Sequence, residues 1–152
     1  MTQQIFDLMP GNYVKHSASE CEIVTAYQLQ KYREYLEGNN KIPKHHRSIQ
    51  GIPITVELLT SLGFSQTFDG IIYEKVISKE DMKPYHTKEI VISYSTLEKR
   101  VYLDTIYVDK ITKNEETHYV SLPHIEFIHQ IQNLYQSLTG YTLKLNTHET
   151  YS

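Results

Sequence analysis

The feature that most constrains the fold is the segment from Leu122 to Gly140, which has the periodicity of an amphipathic helix. At about 100° per residue, its apolar and polar side chains separate onto opposite faces. The apolar face holds Phe127, Ile128, Ile131, Leu134, Tyr135 and Leu138, and the polar face holds Glu126, His129, Gln130, Asn133, Gln136 and Ser137. This pattern predicts a helix that is packed on one side and solvated on the other.

Local signals set the limits of this helix. Pro123 suits its first turn and Ser121 suits the N-cap, which together predict a start near residue 122. Gly140 suits the left-handed conformation that ends many helices. Residues 141–145 alternate between apolar and polar side chains, so we expect a short strand that returns along a sheet covered by the helix.

The polar face contains one group of residues that could bind a ligand or partner. His129 and Asn133 are four positions apart, hence neighbours on the helix surface, and Gln136 follows one turn later. The three form either a small binding patch or a solvated face that contacts nearby loops, and the second interpretation is favoured because polar helix faces are common. Gln132 lies near the apolar boundary, where we expect its amide to bond to a neighbouring backbone group.

Two more helices and a set of strands are predicted along the chain. A helix runs from the N-cap Thr25 to Gly38, and a short one runs from the N-cap Thr55 to Gly63. Residues 12–15 and 22–24 predict an opening hairpin. Four segments rich in Ile, Val and Tyr predict an antiparallel meander, at residues 71–77, 89–94, 100–108 and 117–122, with a loop at 81–88.

These elements predict an α+β fold, in which a mostly antiparallel twisted sheet carries the C-terminal helix packed on one face. The length of 152 residues indicates a single domain, 1–152.

Three blocks of the chain resemble a known family. Residues 11–14 read GNYV, residues 53–64 read PITVELLTSLGF, and residues 128–140 read IHQIQNLYQSLTG. They resemble small uncharacterised proteins encoded in Bacteroidetes genomes, prophages and phages, whose pattern is G-N-x-V, then P-L-T-x-x-x-L-x-x-x-G-F, then H-Q-L-Q-N-L-Y-x-x-L-T-G. The resemblance implies a phage or mobile-element context, and it brings no activity or catalytic residue with it. The chain departs from the pattern at residues 25–48, which read as an inserted helix followed by a basic loop.

The basic segment is a candidate site for a protein partner or a nucleic acid. Residues 31–47 contain five basic and two acidic residues, a local charge of +3, while the whole chain carries a net charge of -3. The candidate residues are Tyr32, Tyr35, Lys41, Lys44, His45, His46 and Arg47. Basic side chains bind phosphates and tyrosines stack on bases. A solvated loop with ordinary surface charges is the favoured alternative, since dedicated nucleic-acid domains carry a larger basic excess.

Signals for catalysis and for cofactors are missing from the sequence. It contains no nucleophile elbow, no phosphate-binding glycine loop and no helical pair of histidines at chelating spacing. The single cysteine, Cys21, lies between Glu20 and Glu22, whose carboxylates disfavour a reactive thiolate. We therefore expect no metal, no cofactor and no enzymatic activity.

The sequence also indicates where in the cell the protein is expected. No apolar run has the length of a membrane span, and the first residues lack the pattern of a signal peptide. We expect a protein of the host-cell cytosol or a virion, without a membrane partner.

These observations favour a binding protein of a phage or mobile element, acting through protein–protein contact as an inhibitor of a host defence protein, an accessory factor or a virion component. The 13 tyrosines suit contact surfaces, and a homo-oligomer is compatible with the same pattern. One alternative is a nucleic-acid-binding accessory protein that uses residues 31–47. Another is a nucleotide-binding sponge with a tyrosine-lined pocket between sheet and helix.

Overall fold

Five antiparallel strands form the centre of the protein in the computed structural model, which describes residues 7–15, 21–42, 49–82 and 85–145. In chain order, the elements are β1 (Tyr13–Val14), β2 (Glu22–Ile23), α1 (Ala26–Leu36), α2 (Val56–Ser61), β3 (Ser65–Thr67), β4 (Ile72–Met82), β5 (His86–Ser95), β6 (Arg100–Asp109), β7 (Glu115–Leu122) and α3 (Ile128–Thr139). Strands β3 to β7 follow one another across the sheet, and β1 and β2 form a separate hairpin. The predicted α+β class, with an antiparallel sheet and the C-terminal helix packed on it, is confirmed.

The sheet has two unlike faces, which the register of β5 against β6 defines. On the inner face, Ile92 lies opposite Leu103 and Tyr94 lies opposite Val101. These side chains pack with both α2 and α3 in the main hydrophobic cluster, which also contains Leu59, Leu62, Phe64, Ile125, Ile128, Ile131 and Leu143. The outer face carries the alternate residues of each strand. No outer-face side chain of the described residues belongs to a hydrophobic cluster, so the helices cover only one face.

The first two helices begin at the predicted caps. The Thr25 hydroxyl accepts the backbone N–H of Gln28, and the Gln28 side chain accepts the N–H of Thr25 in return, which completes a capping box. Thr55 caps α2 by accepting the N–H of Leu58 at 3.2 Å. None of the helices in the described ranges is long and apolar enough to cross a membrane.

Helix α1 and the β1–β2 hairpin share a second, smaller hydrophobic cluster. It consists of Leu8, Val14, Val24, Leu29, Tyr32 and Ile49. Tyr13 points into the main cluster and its neighbour Val14 points into the second one, as successive strand residues do. The hairpin therefore joins the two clusters, and the helix of the segment 25–48 packs against that hairpin.

Helix α3 begins six residues later than the sequence signals indicate. Ser121 lies in β7 rather than at an N-cap, and Pro123 lies in the turn that follows the strand. Strand β7 continues to Leu122 because that residue pairs with Val101 and packs against the main cluster. At the observed start of the helix, the side-chain oxygen of Gln130 accepts the backbone N–H of the N-cap residue Phe127 at 3.0 Å.

The prediction of a solvated polar face on α3 is wrong for its first two turns. His129 and Gln130 are buried and Asn133 is half-buried, whereas Gln136 and Ser137 are exposed as expected. The N-terminal segment of the chain lies across this part of the helix and covers it. Sequence periodicity contains no information about such a cover, because the covering residues are more than 100 positions away.

The expected backbone partners of Gln132 are confirmed. Its side chain is 2% exposed, accepts the N–H of Tyr13 at 2.7 Å, and donates to the carbonyls of Gly11 at 3.2 Å and Leu143 at 3.0 Å. One buried amide therefore connects α3, the opening hairpin and the segment that follows α3.

Some predicted limits of strands are wrong. Residues 141–145 form no strand, although Gly140 ends α3 with a φ of 80° as predicted. The segment predicted as a loop at 81–88 belongs largely to β4 and β5, where cross-strand ion pairs such as Lys88–Glu80 accompany the pairing. The short strand β3 was not predicted from the sequence.

Replacing Gln132 by alanine should destabilise the protein strongly. The substitution leaves the buried Tyr13 N–H, the buried Leu143 carbonyl and the part-buried Gly11 carbonyl without this side-chain partner. We therefore expect a loss of about 2–4 kcal/mol in the free energy of unfolding. The matched control is Gln136→Ala, the same change at an exposed position of the same helix, with an expected effect within about 0.5 kcal/mol. Urea denaturation measures both, and equal effects of the two substitutions would contradict the role given to Gln132.

Candidate functional site

Two of the three residues of the predicted helix patch converge on Asp7. The Nε2 atom of His129 lies 2.7 Å from the Asp7 Oδ1 atom, and the side-chain amide of Gln130 donates to the other carboxylate oxygen at 3.2 Å. Asn133 donates to the backbone carbonyl of Asp7 at 2.8 Å and accepts from the side-chain amide of Asn12 at 2.9 Å. The patch therefore holds the N-terminal segment against α3.

An aspartate–histidine pair occurs in many catalytic sites, but here the side chain of His129 is enclosed by its neighbours. Its side chain is fully buried, and its ring stacks on Phe127 with 5.8 Å between the ring centroids and 13° between the planes. A β-carbon at Gly51 would lie 2.7 Å from Phe127 Cδ1 and 3.2 Å from His129 Cε1, so only glycine leaves room for this stack. His129 therefore joins Asp7 and Phe127 inside the fold.

A shallow cavity of about 280 Å³ lies beside this polar group. It is lined by Asp7, His124, Ile125, Gln130, Asn133, Leu134 and Ser137. Gln136, the third residue of the predicted patch, lies on the exposed side of α3 and does not line the cavity. The side chains of the main cluster lie between sheet and helix, where the nucleotide-sponge alternative places its tyrosine-lined pocket.

The described part of the basic segment gives limited support to nucleic-acid binding. Tyr32 is 4% exposed within the second cluster, and its burial raises the pKa of its hydroxyl. Its ring is thus not accessible to a base, and Tyr35 packs partly buried against the same cluster. Lys41 is exposed, and the predicted residues Lys44, His45, His46 and Arg47 lie outside the described residues.

Within the described ranges, no group of three or more His, Cys, Asp or Glu side chains is arranged to hold a metal ion. Cys21 is exposed, and desolvation together with the neighbouring Glu22 carboxylate raises the pKa of its thiol, as its sequence context indicates.

A groove on the outer face of the sheet was not predicted from the sequence. This outer groove has a volume of about 270 Å³ and is lined by Ile72, Ser93, Glu98, Tyr102, Asp104, Thr117 and Tyr119. The rings of Tyr102 and Tyr119 meet edge to face at 5.6 Å, and Tyr102 donates to Glu98 at 2.6 Å. Asp104 accepts from the Ser93 hydroxyl at 2.9 Å. The groove thus combines aromatic rings with carboxylates.

A second groove lies at the far end of the inner face. This inner groove has a volume of about 300 Å³ and is lined by His86, Tyr107, Asp109, Thr112, Asn114, Glu115 and Glu116. The Asp109 carboxylate accepts the backbone N–H groups of Thr112 and Ile111, and these hydrogen bonds lower the pKa of Asp109. Both grooves extend to β7, since each is lined by residues of that strand.

Carboxylates crowd the outer face around the outer groove. Desolvation raises the pKa of Glu74, and the negative charges of Asp104, Glu89 and Glu115 raise it further. Desolvation also raises the pKa of Asp104, against the opposing effect of its Ser93 hydrogen bond. This face therefore favours the approach of positive charge.

The signal that could have located these grooves is the alternation of polar and apolar residues in β6 and β7. This alternation assigns residues to faces only once the register is known.

Comparison with protein-family models, with curated proteins and with solved structures finds no match to this chain.

Removing the charge of Glu74 should stabilise the protein in a pH-dependent way. Because the pKa of Glu74 is raised in the folded state, its ionised form disfavours folding at neutral pH. We expect Glu74→Gln to raise the urea midpoint at pH 7 and to lose this advantage as the pH falls through the raised pKa, below which the native carboxyl is neutral. Glu37→Gln, at an exposed position after α1, controls for the loss of one charge. A gain that is the same at pH 7 and at pH 3 would contradict this assignment.

Proposed function

We propose that this chain is a non-enzymatic protein of a phage or another mobile element and that it acts by binding another protein. Its role would be that of an inhibitor of a host defence protein, an accessory factor or a virion component. The mobile-element context rests on the resemblance of residues 128–140 to the phage-associated family. The binding function rests on one observation, which is the exposed edge of the sheet formed by β7.

The edge strand β7 carries Glu115 and Glu116 at its start but lacks the other features that usually protect sheet edges. It has eight residues, includes no lysine or proline, and keeps an unbroken register from Val108 opposite Glu115 to Val101 opposite Leu122. Tyr119 is 68% exposed and Val120 is 59% exposed on it. Among the described residues β7 pairs with β6 alone. Long, regular and partly apolar edges pair readily with another strand.

The opposite edge of the sheet shows the protection that β7 lacks. Strand β3 has only three residues. Beyond it, β4 carries a bulge between Val76 and Ser78 and then Lys79, both of which discourage pairing with another chain. The contrast between the two edges supports β7 as a contact surface.

Two adjacent turns present further apolar side chains. Phe68 and Leu97 are each 75% exposed, and the turns that carry them are joined because Thr96 donates its N–H to the Ile71 carbonyl at 2.8 Å. Phe68 and Asp69 have φ values of 51° and 56°, a conformation that costs about 1–3 kcal/mol for a residue other than glycine. An exposed aromatic residue in a strained turn is typical of a contact site.

The proposal predicts a stoichiometric complex with a protein of the natural host. The test is to capture partners with the tagged chain from host lysate, identify them by mass spectrometry, and reconstitute the complex from purified components. We expect Val120→Lys, which places a charge on β7, to weaken the reconstituted complex by about tenfold or more. Leu138→Lys makes a similar change at an exposed position of α3 and should leave the affinity within about twofold.

Failure to recover and reconstitute any protein complex would overturn the binding function. A complex that is equally sensitive to both substitutions would show that β7 is not the contact surface.

A further inference from the structure

The backbone of β7 can accept a further strand at alternate residues. The Asp109 N–H donates to the Asn114 carbonyl at 2.9 Å, so Asp109 directs its backbone groups toward β7. In an antiparallel pair, successive residues of each strand direct their backbone N–H and C=O groups alternately toward the partner strand and away from it. Glu116, His118 and Val120 bond to β6, and Thr117, Tyr119 and Ser121 direct their N–H and C=O groups to the opposite side.

The two grooves lie on opposite faces of the sheet beside this edge. Tyr119 lies opposite Asp104 at the outer groove, and Glu116 lies opposite Tyr107 at the inner groove. Side chains of an added strand would alternate between the two faces and could enter both grooves. Each groove offers carboxylates together with tyrosine rings, which bind guanidinium and ammonium groups through charge-assisted hydrogen bonds and cation–π contact.

The distance between the two grooves along β7 determines how far apart in sequence the two entering side chains of a partner strand must be. Glu116 and Tyr119 are three positions apart on β7, which corresponds to about 10 Å along a strand. Three is an odd number, so two side chains three positions apart on an added strand point to opposite faces. Side chains four positions apart would point to the same face and could not enter both grooves.

The negative charge around β7 indicates which kind of strand would bind at this edge. Strand β7 contains Glu115 and Glu116 and no lysine or arginine. A second copy of β7 would bring two more carboxylates to an edge already flanked by Glu98, Asp104 and Asp109. On the same outer face, desolvation and then the charges of neighbouring carboxylates raise the pKa of Glu74. Arg100, hydrogen-bonded to Ser121 at 3.3 Å, marks the end of the acidic stretch. A basic segment therefore suits the edge better than a second copy of the chain does.

We propose that β7 binds an extended segment of a partner protein as a sixth strand, and that two basic side chains of this segment, three positions apart, enter the outer and inner grooves. The inference rests on the proposed protein-binding function and specifies its partner as a basic, strand-forming segment.

The test uses the full chain and two acetylated, amidated peptides of identical composition. TVRTVRVT has its arginines three positions apart, and TVRTVVRT has them four positions apart. Fluorescence anisotropy at low salt should show that the first peptide binds at least about tenfold more tightly, because only it can place an arginine in each groove. Asp104→Asn and Glu116→Gln should each weaken its binding by about three- to tenfold, whereas Glu57→Gln, on α2, should not change it.

Hydrogen exchange provides a second readout that identifies strand addition. On peptide binding, the amides of Thr117, Tyr119 and Ser121 should gain protection, and those of Glu116, His118 and Val120 should change little. Equal affinity for the two peptides, unchanged exchange at the first three amides, or a chain that dimerises through β7 and binds neither peptide would each overturn the proposal.

The outcomes separate this inference from the function on which it rests. A host protein that forms a stoichiometric complex while neither peptide binds would overturn the basic sixth strand and leave protein binding intact. Selective peptide binding without any host protein complex would uphold the strand site and overturn the proposed function.

Discussion

The structure depends on the buried amide of Gln132. Its oxygen accepts the N–H of Tyr13, 119 positions away, and its nitrogen donates to the carbonyls of Gly11 and Leu143. A buried amide is stable only when its hydrogen bonds are made, and here all three partners are backbone groups at fixed places. The amide therefore fixes α3 relative to the opening hairpin and to the segment that follows the helix.

The other features of the molecule follow from this placement. The N-terminal segment lies over the first turns of α3, where His129, Gln130 and Asn133 hold Asp7. The hairpin then contributes Tyr13 to the main cluster and Val14 to the second one. With both helices α2 and α3 on the inner face, the outer face and the β7 edge of the sheet are left uncovered by helices. Polar residues that looked like a binding patch thus hold the N-terminal segment, and the proposed contact surface lies on the sheet.

The sequence predicted the elements whose signals are local. Thr25 and Thr55 cap their helices by bonding three residues ahead, and Gly140 ends α3 through its own backbone conformation. The start of α3 was misplaced because the pairing of Leu122 with Val101 outweighs the local signal of Pro123. The grooves could not be predicted because they depend on register across three or four strands, which a single sequence does not specify. The burial of Tyr32, likewise, follows from its packing against the hairpin rather than from its neighbours in sequence.

The most direct test of this account is native-state hydrogen exchange at the amide of Tyr13, compared with that of Ile92 at the centre of the sheet. If the Gln132 amide joins hairpin, helix and sheet into one cooperative unit, both amides should exchange only through global unfolding and should give the same free energy of opening. Exchange at Tyr13 with the low protection of a surface turn, while Ile92 stays protected, would contradict the account.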